Sequence, residues 1–213
     1  GRLHVARSRN DILATQDRLR ARDGVLALLG VLADTREVVL QQASAHADTV
    51  MPGYTHLQAA QPITFGYYLS GVAQAMGRDM ARLRHALDRL DACPLGAGAL
   101  AGTAFPIDRA ATARWLGFST YAPNSLDAVA SRDFAWEILS AITIATVTWG
   151  RVAQDLYIWS TPEFGLIDFP DSVAGTSSIM PQKKNPVVLE YLKGKGGHLI
   201  GPLTASLAAL KGS

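Results

Sequence analysis

The sequence has little of several features that mark particular classes of protein. It holds one cysteine, Cys93, so no disulfide can form within the chain, and a reducing compartment suits a lone thiol. No apolar run approaches the roughly 20 residues of a membrane span, and no signal-peptide pattern follows residues 1–4. The net charge of +2 is too small to indicate nucleic-acid binding. We therefore predict a cytoplasmic protein with no membrane or nucleic-acid partner.

Motifs for common cofactors are also absent. No cysteine and histidine cluster has the spacing of a metal site, and no GxGxxG or phosphate-loop pattern occurs. We predict that the protein uses neither a metal ion nor an organic cofactor. In contrast, the 48% hydrophobic content is ample for a sizeable core.

Helical patterns dominate, and strand signals are almost absent, so we predict an all-α protein. Four long helices are expected over about residues 9–48, 62–90, 128–159 and 187–210, with a short one near 108–116. Ser8 and Asp11 have the spacing of a capping box at the start of the first helix. Pro52-Gly53 then predicts a turn that ends this helix.

The third predicted helix is apolar on nearly every face. Between residues 134 and 149 only Glu137 is charged, and the other positions are apolar or small. At ~1.5 Å per residue the helix would be on the order of 45 Å long. Such a helix must be buried on all sides, and four helices of one chain cannot cover it. The sequence therefore predicts association with other subunits.

Residues 177–186, SSIMPQKKNP, crowd polar and basic groups into one loop segment. Lys183 and Asn185 are two positions apart, so an extended backbone would point both side chains the same way. An ammonium group beside an amide suits a carboxylate or phosphate, and nearby Gly165 and Gly175 leave the loop free to close over a ligand. Composition alone also permits a solvated basic turn.

This segment resembles the signature loop of the fumarase/aspartase superfamily, and its MPQKKNP motif resembles that of the argininosuccinate lyase family. Residues 8–11 (SRND) and 51–58 (MPGYTHLQ) are similar to two further signatures of that family. Matches also occur at residues 94–102 (PLGAGALAG), 124–134 (NSLDAVASRDF) and 159–165 (WSTPEFG). Because the matches follow the family order along the whole chain, they are far more specific than a single loop.

The resemblance implies a long-helix bundle in which helices of four chains form the core of a homotetramer, with active sites shared between three subunits. Residues 1–213 would be the central helical domain, and the family's N-terminal and C-terminal domains are absent from this chain. The implied reaction is the β-elimination of argininosuccinate to arginine and fumarate, without a cofactor. Two alternatives stay open: another fumarate-releasing lyase, such as one acting on adenylosuccinate, and a catalytically inactive structural bundle. Gln182-Lys183-Lys184 favours argininosuccinate over adenylosuccinate.

This elimination needs a base, an acid and positive charge where a dianionic intermediate forms. The resemblance implies that Ser177 is the base, activated by positive charge such as that of Lys183. His56 would be, or would position, the general acid, with Glu190 pairing with it from another subunit. Taken singly, these residues are as well explained as a loop serine, a structural histidine and an acid at a helix N-terminus.

The remaining site residues are implied contacts to the substrate: Ser8, Arg9, Asn10, Thr55, Gln182, Asn185 and Arg132. Ordinary helix capping explains Ser8 without a substrate, but it does not explain Arg9 and Asn10. The alternative for Arg132 is a structural ion pair with Asp133 or Asp127.

Thr176 is a departure from the superfamily pattern, which normally has glycine directly before the two serines. Here Gly175 precedes Thr176, as if the usual order were reversed. A β-branched residue restricts the backbone. We therefore expect Thr176→Gly to loosen the loop and to raise turnover.

Overall fold

The computed structural model describes residues 4–211, and most of them are α-helical, as predicted. Its helices are α1 (Arg9–Ala45), α2 (Phe65–Leu90), α3 (Arg109–Trp115), α4 (Ser125–Ala130), α5 (Asp133–Trp159) and α6 (Val187–Leu210). Its strands are β1 (Val50–Thr55), β2 (Gln58–Thr64), β3 (Ala92–Cys93), β4 (Thr120–Tyr121), β5 (Gly175–Thr176) and β6 (Lys184–Asn185). None of the described helices has the length and apolar content needed to cross a membrane.

The antiparallel hairpin β1–β2 was not predicted from the sequence. Its register runs from Val50 opposite Thr64 to Thr55 opposite Gln58, with an irregularity after Pro52. Pro52 lies opposite Pro62, and neither can donate a ladder hydrogen bond. From the sequence alone, Pro52 therefore indicated a turn and Pro62 the start of a helix. Consequently α1 ends earlier than predicted, and α2 starts three residues after Pro62.

The single helix predicted over residues 128–159 is wrong, because the chain breaks it into α4 and α5. Ser131 has extended backbone with φ −72° and ψ 137°. Its hydroxyl donates to Asp133 Oδ1 at 2.9 Å, and the same oxygen accepts a hydrogen bond from the Phe134 N–H at 2.9 Å. These local bonds give the backbone an alternative to continuing the helix.

The described chain divides into two compact units. The first comprises residues up to 31 together with 81–138. Its core contains two small clusters, one around Cys93, Ala113 and Phe118 and the other around Ala97, Ala122 and Ala128. The loop between β3 and α3 thus supplies core residues as well as connecting elements.

The second unit comprises residues 32–80 and those from 139 onward. Here aromatic side chains pack together, with the Tyr68 and Trp159 rings 4.7 Å apart and nearly edge to face. The Tyr68 hydroxyl donates to Asp155 Oδ2 at 3.0 Å. This contact joins α2 to α5 and supports the segments that follow Trp159.

Helices α5 and α6 leave apolar surface uncovered in the single chain. Ile144 and Val147 on α5 are 44% and 51% exposed, so burial on all sides is not reached within one chain. Among the residues of α6 only Leu189 is buried, while Val188 and Tyr191 are exposed. Single exposed apolar residues are ordinary, but several on neighbouring turns mark an association surface. The association itself stays a prediction.

Candidate functional site

The first signature lies at the N-terminus of α1, in the first unit. The backbone N–H of Ser8 donates to Asp11 Oδ1 at 2.9 Å, and Ser8 Oγ accepts from the Asn10 N–H at 3.2 Å. Both side chains therefore cap this helix, although Ser8 Oγ accepts from the Asn10 N–H and not from that of Asp11, as a full capping box would require. Arg9, between them, is exposed at the same helix end.

Asp11 has a second function that sequence reasoning missed. Its side chain is fully buried, and Oδ2 accepts hydrogen bonds from the N–H groups of Gly96 and Gly98, both at 3.0 Å. Asn10 Nδ2 adds a bond to the Ala99 carbonyl at 3.1 Å. The matched PLGAGALAG motif was the signal for this contact, because such a glycine run permits close backbone approach. The helix start and this loop therefore form one rigid piece.

The loop conformation requires glycine at these positions. Gly96 and Gly98 have φ values of +93° and +63°, which L side chains rarely adopt. A Cβ at Gly98 would also lie 2.5 Å from the Gly102 carbonyl oxygen. The loop is thus fixed by its own backbone as well as by Asp11.

Arg132 is held by groups of the first unit. Its Nη1 donates to the carbonyls of Val129 at 3.0 Å and Ser131 at 2.8 Å, and its Nε lies 3.4 Å from Asp17 Oδ2. The acidic partner is therefore Asp17, and the prediction of Asp133 or Asp127 was wrong. Sequence proximity misled it, because Asp133 instead accepts from the Ser131 hydroxyl.

In the second unit, the tip of the β1–β2 hairpin carries Thr55 and His56. His56 and Leu57 form the two-residue loop, with φ values of +56° and +59°. Positive φ at both positions is the turn geometry that matches hairpin twist, yet neither residue is glycine. Non-glycine residues in this region cost of order 1 kcal/mol or more and often occur at functional sites. The turn presents the exposed His56 to solvent, and Tyr54 supports the hairpin through a ring contact with Phe164 at 5.3 Å.

The signature loop, residues 177–183, joins β5 to β6. Gly175 pairs with Asn185 and Thr176 with Lys184 at its base. Ser177 Oγ accepts a hydrogen bond from the Met180 N–H at 3.2 Å. The loop is otherwise exposed, as shown by Ile179 at 83%.

The base of the loop explains the order of Gly175 and Thr176. A Cβ on Gly175 would collide with the Val187 side chain, so glycine is required by close packing. Thr176 lies in a strand, where a β-branched side chain is well suited. This geometry does not support the expectation that Thr176 obstructs the loop.

A cavity of about 610 Å³ opens beside the loop. It brings together three of the predicted site residues, Gln182, Lys183 and Asn185. Ser177, Glu190, Thr55 and His56 do not line it. The remaining wall includes residues that sequence reasoning did not single out: Tyr157, Asp168 and Phe169.

The two neighbouring lysines of this cavity differ in their surroundings. Lys184 Nζ lies 2.9 Å from Asp168 Oδ1 and 3.2 Å from Asp171 Oδ1. The hydrogen bond with Asp168 raises the pKa of Lys184, and it lowers the pKa of the Asp168 carboxyl. Within residues 4–211, Lys183 has no carboxylate at ion-pair distance. Its ammonium group is therefore the one suited to an external anion.

Helix α6 starts directly behind the loop. Glu190 lies exposed in its first turn and donates only its backbone N–H, to the Pro186 carbonyl at 3.2 Å. One turn later, Lys193 Nζ lies 4.5 Å from the centre of the Tyr157 ring, a cation–π contact behind the cavity wall. Across residues 4–211, no three histidine, cysteine, aspartate or glutamate side chains are grouped as a metal site.

Chemically, the cavity offers an ammonium group and two side-chain amides, which together suit a carboxylate ligand. A hydroxyl and an imidazole lie on exposed turns of the same unit, at Ser177 and His56. The structure thus brings together the anion-binding part of the predicted site and leaves its proton-transfer groups on separate turns.

The comparisons with known proteins agree with one another over most of the chain. The family model described as "Lyase" matches residues 1–201. Argininosuccinate lyases of Methanoculleus marisnigri and Thermus thermophilus are each 50% identical to this chain over its whole length. The chain spans 43% and 46% of the lengths of these two relatives.

Two solved structures are similar to the fold. A crystal structure of EDDS lyase in complex with formate superposes with a TM-score of 0.95 at 38% identity, covering 99% of this chain and 43% of that one. A fumarate lyase:delta crystallin from Brucella melitensis, bound to cobalt, has a TM-score of 0.82 at 27% identity. That match covers 98% of this chain and 47% of the other.

Proposed function

The chain belongs to this lyase family, within the fumarase/aspartase superfamily, and on that premise we propose that it acts in a carbon–nitrogen lyase that splits argininosuccinate into arginine and fumarate. The observation that carries the proposal is the cavity lined by Gln182, Lys183 and Asn185. Its unpaired ammonium group and amides suit the succinyl carboxylates of such a substrate. The 50% identity to argininosuccinate lyases supports this choice of substrate.

In the proposed reaction, Lys183 and Asn185 hold the carboxylate next to the carbon that loses a proton. Negative charge grows on that carboxylate as the proton leaves. A fixed ammonium group stabilises such charge most strongly where water is excluded. Gln182 adds a neutral donor on the same wall.

Ser177 takes the proton in this scheme, and its alkoxide form depends on nearby positive charge. The C–N bond then breaks, and the departing nitrogen gains a proton from the acid that His56 supplies or positions. Glu190 of another subunit orients that imidazole. The proposed substrate contacts from the other signatures are Ser8, Arg9, Asn10, Thr55 and Arg132.

We also propose a homotetramer with active sites shared between subunits. The support is the exposed apolar surface of α5 and α6, which one chain leaves uncovered. A cytoplasmic location belongs to the same proposal, and the lone free thiol of Cys93 supports it.

The test is fumarate absorbance with the protein at its full natural length. Argininosuccinate should be converted, and adenylosuccinate should not. Turnover of adenylosuccinate alone would make the protein a different lyase of the superfamily. If neither compound releases fumarate from a folded tetramer, the enzyme proposal is wrong and a structural bundle is the better account.

A further inference from the structure

Lys184 connects the two ends of the signature loop region. It lies on β6, directly after the loop, whereas its carboxylate partners Asp168 and Asp171 precede β5. The two ion pairs, at 2.9 and 3.2 Å, therefore tie the chain entering the loop to the chain leaving it. The loop between them carries Ser177 and Lys183.

The strands at the loop base are too short to fix the loop by themselves. Sheet β5–β6 has only two paired positions, Gly175 with Asn185 and Thr176 with Lys184. A lone two-stranded hairpin is marginal in water even when it is longer. Lys184 occupies one of these two paired positions, so its ion pairs with Asp168 and Asp171 largely determine the position of the loop base. Exposed ion pairs add little folding stability, and the expected effect is on position.

The same bridges also set the charge of the cavity. Asp168 lines the cavity together with Lys183 and Lys184. An unpaired carboxylate at Asp168 would repel a substrate carboxylate and would attract the Lys183 ammonium group. Pairing with Lys184 prevents both, and it leaves Lys183 available.

We propose that Lys184 is a positioning residue of the signature loop, which through Asp168 and Asp171 holds Ser177 and Lys183 in place for the reaction. This inference rests on the proposed function. Lys184 itself does not touch the substrate in this scheme. Its positive charge is needed to bridge two carboxylates, which distinguishes it from an ordinary surface lysine.

The test compares fumarate release by four variants of the full-length tetramer: Lys184→Met, Lys184→Arg, Asp168→Asn/Asp171→Asn, and the triple variant that combines Lys184→Met with both Asn changes. Lys184→Met should lower kcat about 10-fold to 100-fold, as expected when reacting groups are misplaced. Lys184→Arg should recover most of that loss, since arginine can bridge two carboxylates.

Non-additivity is the decisive result. The double Asn variant should lose kcat to a similar extent as Lys184→Met, and the triple variant should be no slower than Lys184→Met, because all three changes remove one interaction. Lys195→Met is the matched control, since Lys195 is an exposed lysine of α6, and its kcat should be unchanged. Fully additive losses, or a Lys184→Met enzyme as fast as the control, would overturn the proposal.

Hydrogen exchange gives a readout that does not depend on activity. Lys184→Met should speed exchange of the Thr176 and Lys183 amides, which lie at the loop base and in the Met180–Lys183 turn. Faster exchange in a protein that releases no fumarate would refute the proposed function and keep the loop assignment. Unchanged exchange at both amides would refute the loop assignment even in an active enzyme.

Discussion

The first signature and the signature loop are both short polar motifs beside a helix, but they are built in opposite ways. At the first signature, the buried Asp11 accepts three backbone hydrogen bonds, two of them from the glycine loop, and Asn10 adds a third bond to that loop. The signature loop is held by two strand pairs and by exposed ion pairs of Lys184. The first motif is a fixed framework, whereas the second is exposed and weakly anchored.

This difference shows that a short polar motif can encode either a folding contact or groups that stay available to a ligand. A motif whose polar groups are used up by the protein itself contributes to folding and placement. A motif that leaves an ammonium group without a carboxylate partner among the described residues, as the signature loop leaves that of Lys183, can still bind an external anion. Loops of low local stability are where conformational steps of catalysis occur. Substitutions in the two motifs should therefore affect different quantities.

The largest expected effect is on turnover at the signature loop. Ser177→Ala should lower kcat by about 10²-fold to 10⁴-fold, the range for loss of an acid–base group. Substrate affinity should stay within about tenfold, because the base acts mainly in the transition state. The thermal midpoint should not change, since Ser177 bonds only the exposed Met180 amide. A large fall in thermal stability would instead make Ser177 a structural residue.

The first signature should respond in stability. Asp11→Ala removes the acceptor of three N–H groups, two of them in buried bonds, and should cost at least about 3 kcal/mol of unfolding free energy. Urea denaturation measures this loss. Asp23→Ala, at an exposed position of the same helix, should cost less than about 0.5 kcal/mol. Equal losses for both variants would mean that the buried carboxylate does not fix the loop.

Two glycines of the first unit should change the free energy of unfolding with opposite sign when replaced by alanine. Gly98→Ala forces an L side chain into φ +63° and toward the Gly102 carbonyl, at a cost of about 2 kcal/mol. Gly24→Ala lies within α1 with no atom near the new Cβ, so it should stabilise by up to ~1 kcal/mol. Urea midpoints of the two variants check both signs, and destabilisation by Gly24→Ala would contradict the open space at that position.

Thr176→Gly should have a small effect. Since Thr176 lies in extended backbone paired with Lys184, glycine there weakens a strand that is already short. We expect kcat to fall by less than about threefold, measured as fumarate release. A rise in kcat would instead support the expectation from sequence that the β-branched residue slows the loop.

The smallest effect concerns pH. Asp168 has a lowered pKa, so its contribution to the loop is present above the ordinary carboxyl pKa of about 3.9 and is lost as pH falls through the lowered value. Lys184 has a raised pKa, so its contribution is present below about 10.4 and is lost as pH rises through the raised value. NMR shifts of the Thr176 amide should be flat from about pH 5 to 9. The change in the Thr176 amide shift at acidic pH should be absent in Lys184→Met. Its persistence in that variant would exclude these ion pairs as its cause.

The sequence predicted three of the four long helices and the cap of the first one because both are local patterns. Ser8 and Asp11 lie one helical turn apart, and the spacing alone predicts their bond. The hairpin was missed because Pro52, Gly53 and Pro62 suppress strand signals, and its formation depends on pairing between residues up to 14 positions apart, Val50 with Thr64. Local propensity does not report such pairing.

The part of the candidate site that lies within one sequence motif was predictable. Gln182, Lys183 and Asn185 lie close in sequence, and the structure places all three on one cavity. The Asp17 partner of Arg132 and the Asp168 partner of Lys184 were not predictable, because long-range ion pairs follow from how segments fold together. The functions of Ser177, His56 and Glu190 stay predictions.

The central claim is that these separately held groups complete one lyase site when chains associate, and subunit complementation tests it most directly. Two inactive full-length variants, His56→Ala and Ser177→Ala, are mixed, dissociated and reassembled, and fumarate release from argininosuccinate is measured. If different subunits supply the two residues, some mixed sites contain both wild-type side chains, and activity should return in part. No activity at any mixing ratio, in tetramers shown to have exchanged subunits and with an active wild type, would contradict the shared site.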